Sequence, residues 1–326
     1  MEFIATSIAF RVIDDPYFRT MFDYELPSRQ LALVTDGWSN INGDSIINFV
    51  FVNPKTPLIF WKSNNTKAEV HTDRFIVDTI LSTIIELEAI VGVGTVTAVI
   101  TDNAANTRKA WRLISKERQG AICAGCTAQD MNLLMKDIFQ LKFFKNVLDK
   151  AQNLAKFIKS RRGFWSRFRN TQKQLKKKGE KCRRLALTVP TRWYTHETCV
   201  TNVFHNRDVI AAIFADTALR KSYEGADLDA VLVIQKDEAF CQHARIALDL
   251  IRPINTSLAA FERDNCGISM AYHQLDRLRT HDVYTIPLEE CDKELQQSGL
   301  GEIENRREKI CSKTCNCEYA HGLSSC

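Results

Sequence analysis

The chain contains no uninterrupted apolar run long enough to span a bilayer. Its longest apolar stretch, over roughly residues 75–100, carries Asp78, Glu86 and Glu88, so it reads as a helix followed by a strand. The opening MEFIATSIAFRVIDD has no basic leader segment and no small-residue cleavage site, so a secretory signal is not expected. Eleven cysteines in a chain of this size do not suggest a disulfide framework, since an odd count cannot pair completely, and a reducing compartment is the expectation. No second CxxC accompanies Cys123-x-x-Cys126, and no internal repeat is visible. Hydrophobic content of 45% and charged content of 25% match an ordinary globular chain, long enough at 326 residues for one large domain or two smaller ones.

Acidic side chains are nearly missing from one stretch. Between Lys156 and Arg184 there are thirteen Lys and Arg against the single acid Glu180, a local charge of +12 within a chain whose total is +5. The rest therefore sums to −7. A basic block set in a mildly acidic protein points to a polyanionic partner, with a solvated helix surface as the plainer alternative. Phe157, Phe164, Trp165 and Phe168 interleave with these cations and are read as core residues rather than base platforms.

Along the chain, residues 1–30 read as a helical lead-in. LALVTD (31–36), SIINFVFV (45–52) and PLIFWK (57–62) are three β-branched and aromatic runs with short turns, an antiparallel meander. Phe75, Ile76, Ile80, Ile84 and Leu87 share one helical face, with Thr72 as N-cap and Gly92 as terminator. VTAVIT (96–101) is a fourth strand, NAANTRKAWRLI a second helix, and AICAG (121–125) a short fifth strand. The order β-β-β-α-β-α-β predicts a mixed five-stranded sheet with flanking helices over 31–140. No strand is read after about residue 126. Helices are expected over 128–160, 161–182, 196–222 and 227–262, with Pro253 kinking or ending the last. They make up a helical insertion domain over 141–288. Residues 289–326 are expected to be an irregular, cysteine-rich tail.

Two apolar runs end alike: LALVT on Asp36 and AVIT on Asp102. A strand-terminal Asp is by itself a turn or cap residue. If the two strands are neighbours, however, both carboxylates face one cleft, and a pair that close calls for a neutralising cation. Hard oxygen ligands favour Mg²⁺ or Mn²⁺, and two such ions roughly 4 Å apart serve phosphodiester cleavage.

The residues from about Phe3 to Arg279 resemble the ribonuclease H-like core of hAT-superfamily transposases, in the form widespread among transposon-derived proteins of unknown function. The matching pieces, in the family's order, are PSR (27–29), TDGWSN (35–40), HTDRF (71–75), TDNAAN (101–106), GC (125–126) with MNLLMKDI (131–138), and PTRWYT (190–195). The resemblance implies a ribonuclease H-like α/β fold and nuclear location. It makes Asp36 and Asp102 the first two acids, and metal ligands, of a DDE-type triad. It places Trp193 against an unpaired base and Arg192 against a phosphate. DNA is the implied partner; the basic block, read separately from its charge, adds Arg161, Arg162, Arg167, Arg169, Lys173, Lys176, Lys177 and Lys178 as expected contacts.

The departures from the family are specific. Where the family has Cys-x-x-His, this chain has Cys126 and Gln129, with Asn132 following, and Gln cannot shuttle a proton. No third acid is identifiable; Glu238 and Glu262 are weak candidates. The family's dimerisation region and an N-terminal BED-type zinc finger have no counterpart in the sequence. The tail spacing Cys315-x-Cys317-x3-His321-x4-Cys326 is too tight in its first gaps for a zinc knuckle, so zinc is not expected. The expectation is therefore a catalytically silent core that binds DNA without sequence preference. An active metal-dependent transposase and a protein-interaction scaffold are the alternatives.

Overall fold

The structure, a computed structural model, describes residues 30–40, 42–53, 56–67, 72–189, 193–261, 268–289 and 291–314. The lead-in before Gln30, the PSR motif, Arg192, Glu262 and the tail from Cys315 to Cys326 lie outside the described residues. The chain divides into two compact units, one of residues 1–130, 261–271 and 307–326, the other of 131–260 and 272–306.

The first unit holds a sheet built from β1 (Leu31–Ser39), β2 (Ser45–Asn53), β3 (Thr56–Lys67), β4 (Val96–Thr101) and β5 (Ile122–Gly125), in spatial order β3-β2-β1-β4-β5. β1, β2 and β3 pair antiparallel, while β1–β4 and β4–β5 are parallel. This is the mixed five-stranded sheet expected from the sequence. Alternation decides what each strand buries: Leu31, Leu33, Phe49, Phe51, Ile59 and Val99 are fully shielded or nearly so. They pack with helix α1 (Asp73–Val91) and helix α2 (Ala105–Glu117). α1 contributes Ile76, Val77, Ile80, Ile84 and Leu87 to that core. Thr72 caps it by accepting from the Phe75 amide at 3.1 Å, and Gly92, at φ 107°, stops it.

From residue 127 the described chain is helical apart from its connections: α3 (Thr127–Gln140), α4 (Lys142–Ser160), α5 (Arg162–Lys177), α6 (Tyr194–His205), α7 (Arg207–Ala215), α8 (Thr217–Lys221), α9 (Ala226–Lys236), α10 (Glu238–Phe261), α11 (Ile268–Arg279), α12 (Asp282–Thr285) and α13 (Lys293–Thr314). Phe157, Phe164 and Phe214 form an aromatic centre in the second unit, with ring centroids 5.0–5.9 Å apart. The span expected as one helix over 196–222 is three. Its breaks fall on Asn206 and Asp216, whose side chains take backbone partners of their own. Asn206 Nδ2 donates to the Asn202 carbonyl at 2.6 Å, and Asp216 Oδ1 accepts from the Leu219 amide at 3.0 Å. Pro253 does not end α10, which continues to Phe261. None of the helices among the described residues is long and apolar enough to cross a membrane.

One expectation fails clearly. The stretch from Glu289 was expected to be irregular, yet Lys293–Thr314 is a helix of 22 residues. Its inward positions are Gln296, Gly299, Ile303, Arg306 and Ile310, a regular helical spacing that apolarity alone does not reveal. Gln296 Nε2 donates to the carbonyls of Val283 and Ile286 at 2.8 and 2.9 Å, Arg306 pairs with Asp137, and Gly299 lies against the Tyr284 ring.

Candidate functional site

β1 does not stop at Asp36. It stays paired with β2 as far as Ser39, with Asp36 opposite Asn48, but its parallel pairing with β4 ends at Val34 and Ile100. Asp36 thus sits where β1 loses one neighbour while keeping the other. Asp36 and Asp102 each lie two residues past the last pair, near enough for the charge of one to act on the other. The β4–β5 ladder ends with Thr101 opposite Gly125, and the Cys126 amide then donates to the Thr101 carbonyl at 2.8 Å. Asp36, Asp102 and Cys126 therefore follow the ends of parallel pairing on three adjacent strands. Trp38, two residues beyond Asp36 on the same face, leaves 48% of its surface exposed.

The electrostatics follow from this placement. Asp36 reaches solvent, but the protein around it removes enough hydration to raise its carboxyl above the ordinary value. The charge of Asp102 raises it further, and the Gly37 amide opposes both. Burial likewise pushes the Cys126 thiol up; the amides of Gln129 and Ala128 offset part of this, and the charges of Asp36 and Asp130 add to it. Cys126 thus remains a protonated thiol at neutral pH rather than a thiolate nucleophile.

Asp102 has a second duty. Its Oδ1 accepts from the Ala104 amide at 3.2 Å and from the Thr107 hydroxyl at 2.9 Å, which fixes the entry to α2. The strand end before it is held by Trp111, whose Nε1 donates to Thr101 Oγ1 at 3.0 Å. Gln129 accepts from the Asn103 amide at 3.1 Å, and Asn103 Nδ2 donates to the Cys126 carbonyl at 3.2 Å. Gln129 is therefore a structural acceptor here. Gly125 makes room for this arrangement, because a Cβ there would lie 1.9 Å from Asn103 Oδ1. Asn103, Thr107, Gly125, Trp38 and Asn48 are site residues that sequence reasoning did not single out. Asn103, Gly125 and Trp38 lie inside the quoted motifs, and that proximity was the available signal. On the α1 side of the sheet, Thr35, Ile76, Thr79, Asp102 and Thr107 border a hollow of about 100 Å³.

Two carboxylates, one already engaged by Ala104 and Thr107, do not make up the donor set of a two-ion centre. Among the described residues no group of three His, Cys, Asp or Glu side chains converges so as to hold a metal ion. Glu238 opens α10 in the other unit.

The basic block forms the end of α4, all of α5 and the segment after it. Phe164, Phe168 and Gln172 are the buried face of α5. At ~100° per residue, Arg162, Arg169, Lys173, Lys176 and Lys177 fall together on the opposite face, all exposed. Among the described residues none of these five is in a salt bridge. Lys178, the C-cap, is exposed as well. Two members of the block differ: Arg161 pairs with Asp227 and lies over the Phe157 ring, and Arg167 pairs with Asp216 at 3.0 Å.

Of PTRWYT, residues Trp193 to Thr195 are described. The Trp193 amide donates to Asn132 Oδ1 at 3.0 Å, and its indole stacks on His196 with centroids 4.4 Å apart. One face of the indole is therefore taken by the protein itself.

A model of a domain of unknown function, DUF659, matches residues 20–154, a stretch that includes all five strands and less than half of the chain. This domain is found in hAT-like transposase-derived proteins. No curated protein matches the chain.

Proposed function

We propose that the sheet unit is a transposase-derived, ribonuclease H-like core that no longer cuts or joins DNA, and that the chain acts as a nuclear DNA-binding protein of low sequence preference. The observation that carries this reading is the α5 stripe, five exposed cations on the face opposite Phe164 and Phe168. Over Arg162 to Lys177 the helix rises about 22 Å, the length of roughly six base pairs. Each phosphate neutralised by Lys or Arg releases condensed counterions, which favours binding and makes it depend on salt. Nothing in the stripe is arranged to read base edges, so affinity on the order of micromolar for any duplex is the expectation at physiological salt.

The donors at the site account for its silence. Asp36 and Asp102 hold the first two positions of an acid triad, but Gln129 replaces the family's histidine and is used by the Asn103 amide. Burial raises the Asp36 carboxyl first and the Asp102 charge adds to it; a Mg²⁺ or Mn²⁺ ion would relieve that added repulsion, but two carboxylates alone do not complete the machinery. The test has two arms. Lys176, Lys177 and Lys178, all changed to Glu, should weaken binding to unrelated duplexes alike. Incubation of the intact chain with DNA and Mg²⁺ or Mn²⁺ should yield no nicked or joined product. Nicking that disappears in Asp102→Ala would establish an active enzyme instead, and binding indifferent to salt and to the triple change would leave the interaction scaffold.

A further inference from the structure

The segment after α5 is an extended strap whose main chain is held by side chains instead of by a sheet. Gly179, at φ +86°, reverses the chain at the end of the helix, with the Glu180 amide donating to the Leu175 carbonyl at 3.1 Å. The strap then runs back along α5 and α4. The carbonyl of Lys181 meets His205 Nε2 at 2.9 Å, and that of Leu185 accepts from Lys159 Nζ at 3.2 Å. The Arg183 carbonyl between them receives two donors, Gln172 Nε2 at 2.7 Å and Asn206 Nδ2 at 2.9 Å. Gln172 and Asn206 also bond each other at 2.8 Å, and both are more than nine-tenths buried. Alternate carbonyls of an extended chain point the same way, so bonding residues 181, 183 and 185 turns one edge of the strap inward. Lys181, Arg183 and Arg184 are left exposed. Gln172 precedes Lys173 and so lies about 100° around the helix from it. The strap therefore flanks the basic stripe.

We infer that Gln172 and Asn206 are positioning residues for a polyanion: they latch the strap so that Lys181, Arg183 and Arg184 act with the α5 stripe as one cradle for a nucleic-acid backbone. This rests on the DNA-binding reading above. A buried amide pair spent on one carbonyl of a non-helical segment fixes where that segment's charges stand. A strap left loose would lose the conformational entropy of ordering whenever it bound. The latch removes that loss in advance.

The test is an anisotropy titration of the full chain with a 30-base-pair duplex across 50–200 mM salt. Four proteins are compared: the wild type, the strap variant (Lys181, Arg183 and Arg184 each to Gln), the latch variant Gln172→Met, and the combination. The strap variant should reduce the log–log salt slope by up to about 2.7, from roughly 0.9 for each of three contacts. The latch variant should lose part of the same slope with every cation still present, and the combination should lose no more than the strap variant alone. Trypsin should cut after Lys181, Arg183 or Arg184 faster in Gln172→Met, while circular dichroism shows the helices retained. Asn206→Ala supplies a second latch variant should Gln172→Met fail to fold. A wild-type slope in both the strap and latch variants, or losses that add independently, overturns the cradle and leaves DNA binding by α5 intact. A wild type without salt-dependent binding overturns the DNA reading itself, and the cradle with it.

Discussion

Glu88 offers the sharpest test of how the sheet unit is held. It is 5% exposed, and its carboxylate forms a fork with Arg118, Oε1 to Nη2 at 2.6 Å and Oε2 to Nη1 at 3.0 Å. Oε1 also accepts from the amides of Gly94 and Val96, both at 3.1 Å, so one side chain closes the turn from α1 into β4. Removing one partner of a buried ion pair costs about 3–5 kcal/mol, because the other charge is left uncompensated. Glu88→Ala should reach about 4 kcal/mol, since the buried Val96 amide loses its acceptor too. Arg118→Ala should cost less, about 2–3 kcal/mol, because Glu88 keeps both backbone amides. The double variant should fall short of the sum by at least ~1 kcal/mol, the mark of a direct pair. Two units need not unfold together, so the readout is hydrogen exchange at β4 amides such as Val99, which reports opening of this sheet locally. A cost below about 1 kcal/mol for Glu88→Ala would refute the assignment of the turn to this carboxylate.

Gly125→Ala should cost about 1–3 kcal/mol, since the new methyl group meets Asn103 Oδ1 and must displace it. Gly37→Ala, with nothing nearer than the Ile46 carbonyl at 4.0 Å, should stay within ~0.5 kcal/mol, both variants being compared by hydrogen exchange at the β4 amides. Asp36→Asn should raise the melting temperature at pH 7. A carboxyl whose pKa is raised in the folded state binds its proton more tightly there, so the native acid loses stability as pH rises above the ordinary value of 3.8. The gain from Asn should shrink as pH falls toward that value, and a gain equal at pH 7 and pH 4.5 would contradict the sign. Gln296→Leu should destabilise the α12–α13 region by about 2 kcal/mol through the orphaned carbonyls of Val283 and Ile286, measured by exchange at Tyr284.

Much of the sheet was legible because its residues obey two simple periods. Leu31 and Leu33 alternate, and Ile76, Ile80 and Ile84 recur every four residues, so strands, helix and caps could be read directly. The reach of β1 past Asp36 was not legible, since Gly37 and Ser39 carry no strand signal and are held there by pairing with β2. α13 escaped because its inner face is Gln296, Gly299 and Arg306, which bury by hydrogen bonding and close packing rather than by apolarity. In the site, the two aspartates stood out as the ends of matching runs. The fit of Gly125 against Asn103 is a contact between distant residues, and the strap latch depends on Asn206 bonding backbone 23 residues away. Periodicity holds no record of either.

The most direct measurement is the salt dependence of duplex binding by the full chain and by a variant with Arg162, Arg169, Lys173, Lys176 and Lys177 all changed to Gln. Five phosphate contacts on the stripe correspond to a share of about 4.5 in the log–log slope. The wild type should bind two unrelated duplexes equally, with a slope at least that steep, and the variant should lose most of it for both. Equal slopes in the two proteins, or a wild type whose affinity does not change between 50 and 200 mM salt, would contradict nucleic-acid binding by this helix.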